Sequence, residues 1–237
     1  MSNTITAGVK IPVGVYHSTI LPSMDFETFS AAGYRFDSEG KRRPLIPGRN
    51  DSGLKLVGSF AYAQHPSTEI ISLAYDLKNG QGVQAWVPGM NPPRELFEYI
   101  SSGGIIQAFN SMFEWLIWNE VAVVKLGWPP LPIENLLDDM AKSRAWSLPG
   151  ALDKAAKALR LPEEKDKKGT SLINKFSKPR TPTNATPKRR MLPEDDPVGA
   201  IEFVKYNIQD VIAEDAVSLA TPDLSEFEKK VFVHDQK

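Results

Sequence analysis

Apolar and polar positions alternate most sharply over residues 21–29, LPSMDFETF. Period-two spacing there puts Met24, Phe26 and Thr28 on one side of a short strand and Asp25 and Glu27 on the other. Residues 1–20 are mixed and read as an arm. Residues 31–58, rich in Gly, Pro, Arg, Asp and Ser, read as an irregular excursion. Two strand-like runs follow, 59–63 and 69–77, separated by Gln64-His65-Pro66-Ser67. The turn signal Asn79-Gly80-Gln81-Gly82 precedes another at 83–87. The first part of the chain is therefore expected to be a meander of antiparallel strands.

The pattern then changes period. Pro92-Pro93 opens a helix over Arg94–Ser101, closed by Gly103-Gly104, and residues 105–109 form a short buried strand. Residues 111–125, SMFEWLIWNEVAVVK, predict a strongly apolar helix stopped by Gly127 and Pro129-Pro130. Two more helices are expected at 134–145 and 152–161. Residues 162–197 hold six of the nineteen prolines and show no apolar pattern, so a long loop is expected there. Residues 198–220 predict one long helix. Strands first, then helices with little strand between them, give an α/β or α+β sheet with helices packed on it.

Composition narrows the chemistry. The 237 residues are 41% apolar and 24% charged, enough for an independent core. No stretch approaches the ~18 apolar residues of a membrane span. The N-terminus shows no apolar run before a small-residue cleavage site, so no signal peptide is read. There is no cysteine, which removes disulfides, thiolate–zinc and iron–sulfur sites and thiol nucleophiles. With only His17, His65 and His234, a metal site would rest on carboxylates, which favours hard ions such as Mg²⁺ or Mn²⁺. Net charge is −1, but residues 165–190 carry nine Lys/Arg against the single acid Asp166. An acidic body with one basic segment suits an anionic partner held at one place.

Three carboxylate patterns stand out. Asp25 and Glu27 leave one face of the first strand. Two acids beside a core call for a counter-charge such as a divalent ion, or else the strand is an edge with a solvated face. Tyr206 and Asp210 are i and i+4 on the long helix, so they project from one side; the alternative is a surface acid beside a packed tyrosine. Glu114 falls in the first turn of the apolar helix, after Asn110, where an ordinary helix-start acid with an Asn cap is the simpler account.

Together the three occur in the order D-x-E, N-x-x-x-E and Y-x-x-x-D, which resembles the motifs of DEDD-type 3′–5′ exonucleases of the tyrosine subclass. The histidine subclass would place His where this chain has Lys205. SMDFETFS, YAQHPSTEI, AFNSMFEW, LPGALDKAAKAL, KFSKPR, FVKYNIQDV and LSEFEKKVFVHDQ are similar to the proofreading exonuclease domain of phage-type family A DNA polymerases, over residues 21–236. Many relatives carry Asp where this chain has Glu114.

The resemblance implies a ribonuclease-H-like α/β fold, a mixed sheet flanked by helices, over residues 21–220. A basic loop at 163–197 would interrupt it, and a tail at 221–237 would resemble the linker to a polymerase. An excised domain and a stand-alone exonuclease are both open. It also implies two Mg²⁺ or Mn²⁺ ions, one activating water and one stabilising the leaving 3′-oxygen. Asp25, Glu27, Glu114 and Asp210 would be the ligands, and Tyr206 would orient the water. Asp138 would be a supporting acid, with Asp139 its rival. Thr28, Asn110 and Phe113 would meet the frayed 3′ end of DNA, although core packing accounts equally well for Phe113. Lys175, Lys178 and Arg180 would meet phosphates, unless the basic run is merely solvated. Nucleoside 5′-monophosphates would be the products. Replication proofreading beside a polymerase, in the host cytoplasm if phage-encoded, would be the setting. Two other readings stay open: an exoribonuclease of the ribonuclease D type, and a non-catalytic DNA-binding module associated with a polymerase.

Overall fold

The computed structural model describes residues 18–161, 167–184 and 186–235. Most of the arm expected at 1–20 lies outside these, as do residues 163–166 and 185 of the expected basic loop and 236–237 of the expected tail. The chain begins with β1 (Ser23–Phe29), then a small hairpin of β2 (Tyr34–Phe36) and β3 (Arg42–Pro44). Next come α1 (Leu54–Ala63), β4 (Glu69–Asp76), β5 (Gln84–Trp86), α2 (Arg94–Ser101) and β6 (Ile106–Ala108). Helix α3 (Ser111–Leu116) runs on into wider turns over Ile117–Leu126. Then follow β7 (Leu136–Asp138), α4 (Asp139–Ala145), α5 (Leu152–Ala158), α6 (Lys167–Phe176), α7 (Pro197–Leu219) and α8 (Glu226–Asp235).

The main sheet is mixed, in the order β5-β4-β1-β6-β7. β4 runs antiparallel to β1 and β5, while β6 runs parallel to β1 and β7. Helices flank it, an α/β architecture compatible with a ribonuclease-H-like domain. The buried core gathers Met24, Phe26, Leu73, Ile106 and Leu136 from the strands against Leu96, Leu116 and Trp118 from the helices. No helix among the described residues is long and apolar enough to cross a membrane.

Four expectations are corrected. Residues 59–63 are not a strand but the second half of α1. S-F-A-Y-A alternates locally, yet Tyr62 and Ala63 bury from a helix and Tyr62 meets Phe113 of α3 at 5.8 Å. The excursion at 31–58 contains the β2–β3 hairpin. The helix expected over 134–145 begins as strand β7, and Asp138 then caps α4 by accepting from Met140 N (2.7 Å) and Ala141 N (3.2 Å). The basic segment is not one long loop. Leu172 and Phe176, i and i+4 on α6, bury against Phe203 of α7, and three aromatic rings stack in line: Phe176 on Phe203 at 5.6 Å, Phe203 on Tyr206 at 6.2 Å.

Candidate metal centre and its cavity

β1 sits centrally in the sheet, so its two faces are both covered. Met24 and Phe26 bury in the core, and Asp25 and Glu27 face α7, which lies across β1 and β4. α7 brings Asp210 to them. One carboxylate oxygen from each of Asp25, Glu27 and Asp210 lies within 4.8 Å of the other two. These acids, brought from two elements 183 residues apart in sequence, are the only such group among the described residues.

The acids of the cluster raise one another's pKa. Burial first, and then the Asp210 charge, pushes the Asp25 carboxyl well above its ordinary range, opposed by a hydrogen bond from Asn207. Burial, then Asp25 and Asp210, does the same to Glu27. No protein donor among the described residues reaches Glu27. Three half-buried acids that repel one another are stable as anions only with a cation among them. An all-oxygen donor set of this kind fits Mg²⁺ or Mn²⁺.

Tyr206 lies one helical turn before Asp210, and its hydroxyl hydrogen-bonds that carboxylate. Burial, then the Asp210 and Glu27 charges, drives its ionisation far above the ordinary tyrosine range, so it stays a neutral donor. Gly169 of α6 lies against the same ring: a Cβ there would stand 2.4 Å from Tyr206 Cε2.

Glu114 is deeply buried but outside the three-acid group. β1 and β6 pair at Ser23 and Gln107 and β6 ends at Ala108, which leaves the Phe26 amide without a strand partner on that side. Glu114 enters that gap and accepts from Phe26 N at 2.9 Å. Burial, followed by Asp25, raises its pKa. The turn before it differs from the expected Asn cap. Asn110 makes no side-chain cap; it takes left-handed backbone angles (φ 68°), and its amide donates to Asp138 Oδ1 at 3.2 Å. Asp138 is thus the residue that ties this turn to α4. Asp139 faces elsewhere, accepting from Ser218 at 2.8 Å.

Two residues were not anticipated. Asn207, fully buried, donates from Nδ2 to Asp25 Oδ2 (2.6 Å) and to the Asp25 carbonyl (3.2 Å). Ser72 of β4 donates to Asn207 Oδ1 at 2.8 Å, which fixes the amide with its NH₂ toward Asp25. Glu214, also fully buried, takes the Phe109 amide and feels the Asp25 and Asp139 charges. The available signal was spacing: Asn207 and Glu214 stand at i−3 and i+4 from Asp210.

Beside Glu27 opens a cavity of about 500 Å³, lined in part by Thr28, Tyr62, Phe113, Ile173 and Lys178. Its size falls in the ~300–1,000 Å³ range of small-ligand sites. Thr28 follows a bulge in β1 after Glu27, and its hydroxyl shares a 3.0 Å hydrogen bond with Tyr62, whose ionisation burial pushes up to about 12. Asn110, Lys175 and Arg180 do not line the cavity. Lys175 pairs with Asp196 at the start of α7, and Arg180 donates to the Lys188 carbonyl at 2.7 Å.

An α/β domain with three acids, two of them on its central strand, gathered closely enough to hold a metal ion is the class that fold and site define. No family model matches the chain. Over 186 residues it is 33% identical to a DNA polymerase of Bacillus phage SP02, covering 76% of this chain and 28% of that polymerase. The chain spans little more than a quarter of the relative it matches, and the similarity is to part of a phage polymerase.

Proposed function

We propose that this chain is a 3′–5′ exonuclease domain acting on DNA, serving a phage-type polymerase as its proofreading site. The observation that carries the reading is the convergence of Asp25, Glu27 and Asp210 with Tyr206 bonded to the last of them. The similarity to a phage DNA polymerase supports the setting.

Asp25, Glu27 and Asp210 would hold Mg²⁺ or Mn²⁺, with Glu114 close behind. When bound, such ions polarise phosphoryl oxygen and lower the pKa of water. The protein's part is separate. Asn207 and Ser72 fix the Asp25 rotamer before substrate arrives. Tyr206, held neutral, presents its hydroxyl to the attacking water. Phe113 and Tyr62 offer aromatic faces to the bases of a frayed end, each stacked base contributing ~1–3 kcal/mol. Water adds to the phosphorus, the bond to the 3′-oxygen of the penultimate nucleotide breaks, and a nucleoside 5′-monophosphate leaves.

The test is digestion of matched 5′-labelled DNA and RNA oligonucleotides. A DNA ladder shortening from the 3′ end is expected with Mg²⁺ or Mn²⁺ and none with a chelator. Asp25→Ala should lose at least ~10³-fold in rate. Preferential digestion of RNA would convert the reading to an exoribonuclease. Wild-type speed from Asp25→Ala would remove this cluster from the chemistry.

A further inference from the structure

The cavity beside Glu27 has a basic rim built from three separate elements: Arg42 of β3, Lys55 of α1 and Lys178 just past α6. Lys55 and Lys178 line the cavity. The Arg42 guanidinium lies 5.1 Å from the ring centre of Tyr34, another lining residue, and donates to the carbonyl of Pro179, next to Lys178. The Arg42 amide donates to Thr181 Oγ1 at 3.0 Å. The hairpin and the basic segment are therefore stitched together at this rim.

Nearby cations are mostly neutralised. Arg43 pairs with Asp37, Arg49 with Asp51, Lys175 with Asp196, and Arg190 with Glu69. Among the described residues no carboxylate pairs with Arg42, Lys55 or Lys178. The Lys178 amine donates to Asn174 Oδ1 at 2.7 Å, a neutral partner. Burial, followed by the Arg42 and Lys55 charges, holds that amine below its ordinary pKa. Ser177, nine-tenths buried, also lines the cavity, and its hydroxyl has no partner among the described residues. Lys55, Lys178 and the unsatisfied Ser177 hydroxyl line one cavity, and the Lys178 amine feels both the Arg42 and Lys55 charges; an anion with several acceptor oxygens suits such a group.

We infer that Arg42, Lys55 and Lys178 form a phosphate seat that grips the nucleic acid strand whose 3′ end enters the cavity, with Ser177 as a further donor. A guanidinium fork and two ammonium groups suit a phosphate's several oxygens. The inference rests on the nucleic-acid reading above but not on hydrolysis. Two positions on a strand can supply the group, an internal phosphodiester or a phosphate on the terminal 3′-oxygen.

The experiment is fluorescence anisotropy with an eight-residue oligothymidylate across a salt series, with Ca²⁺ in place of Mg²⁺. A second arm uses the same oligomer carrying a 3′-phosphate. Each phosphate neutralised on a single strand contributes about 0.7 to the salt slope. The Lys55→Gln/Lys178→Gln protein should show a slope smaller by about that amount and binding weaker by roughly tenfold, as for loss of a charged contact. Each single replacement should show part of the loss, Lys178→Arg should retain the slope, and Lys229→Gln, on α8, should match wild type. Loss in both arms assigns the seat to an internal phosphodiester; loss only with the 3′-phosphate assigns it to the terminal group. Superimposable slopes in both arms overturn the seat, and hydrolysis by the same preparation would still stand. A changed slope in a protein that never hydrolyses DNA keeps the seat and removes the exonuclease.

Discussion

Neutral Asn207 holds Asp25 at both its carboxylate and its carbonyl, while Ser72 sets which end of the amide faces it. The arrangement lets an anion be oriented without neutralising it, so the charge remains available to a cation. Tyr206 shows the complementary device. Surrounded by acids, it cannot ionise near neutral pH; it donates its one proton to Asp210 and keeps its oxygen free to accept. Tyr206→Phe should therefore lower kcat by ~10–10³-fold while DNA affinity stays near wild type, the pattern for loss of a contact made in the transition state. Single-turnover rates beside anisotropy titrations make the separation. Weakened binding with unchanged kcat would recast Tyr206 as a stacking residue.

At the scale of elements, α6 matters more than its charge suggests. Its Leu172 and Phe176 lock onto α7, and Gly169 gives the Tyr206 ring the space it occupies. Gly-to-Ala in a helix ordinarily stabilises by about 1 kcal/mol. Here the added methyl would meet the ring at 2.4 Å, so Gly169→Ala should displace Tyr206 and cut turnover by ~10–100-fold, a cost typical of misplacement by about 1 Å. Calorimetric Mn²⁺ affinity should change far less than turnover, because all three carboxylates are retained and only the hydroxyl bonded to Asp210 shifts. Wild-type turnover would show that the ring has room to shift without consequence.

The same helix shows where sequence reading stops. β1, β4, α2 and α7 were legible because each carries a full period of apolar residues or an unmistakable boundary, such as Pro92-Pro93 or Pro197. α6 was hidden because its apolar face is only Leu172, Ile173 and Phe176 within a run of lysines; the contact with Phe203 supplies what the local pattern lacks. α1 was misread because a five-residue alternation fits either period, and burial of Tyr62 decides it. β7 is three residues long and reads as the start of the helix it precedes. At the site, the convergence of Asp25, Glu27 and Asp210 was legible through motif order. Asn207 and Glu214 were not, since a buried amide or acid beyond the motif has no signature until the strand opposite it is known.

For the whole molecule, the acids set a dependence on pH. Asp139 rises from an ordinary 3.8 to about 7, chiefly by burial, opposed by Lys142 and Ser218. Asp25, Glu27, Glu114 and Glu214 shift the same way. Between the ordinary and the raised values these buried groups bind more protons in the folded protein than in the unfolded chain, so the stability they contribute falls as pH rises, whereas the carboxyls held low by partners, such as Asp37 and Asp195, act in the opposite sense and mainly at lower pH. Without metal, the urea midpoint should decline from about pH 4 to about pH 7, and Asp139→Asn should flatten that decline. Mn²⁺ at a hundred times its Kd should restore ~2.7 kcal/mol, roughly 5–10 °C in Tm for a chain of this size. A midpoint that climbs across this interval in metal-free buffer would contradict the buried-acid picture.

Ser18 donates to the Thr221 carbonyl at 2.8 Å, and the Thr19 amide donates to Asp223 at 2.8 Å. The polypeptide therefore enters and leaves the sheet body at one place, like the two leads of a plug. A body wired in this way can sit between other folded units, or be spliced into an exposed turn of a host, without stretching either flank. Lys142 of α4 also pairs with Asp223 at 2.7 Å, so a pull along the outgoing lead reaches α4, whose cap Asp138 holds the Asn110 turn. The junction through which such a domain would feel its neighbours is thus mechanically continuous with the turn that carries Glu114.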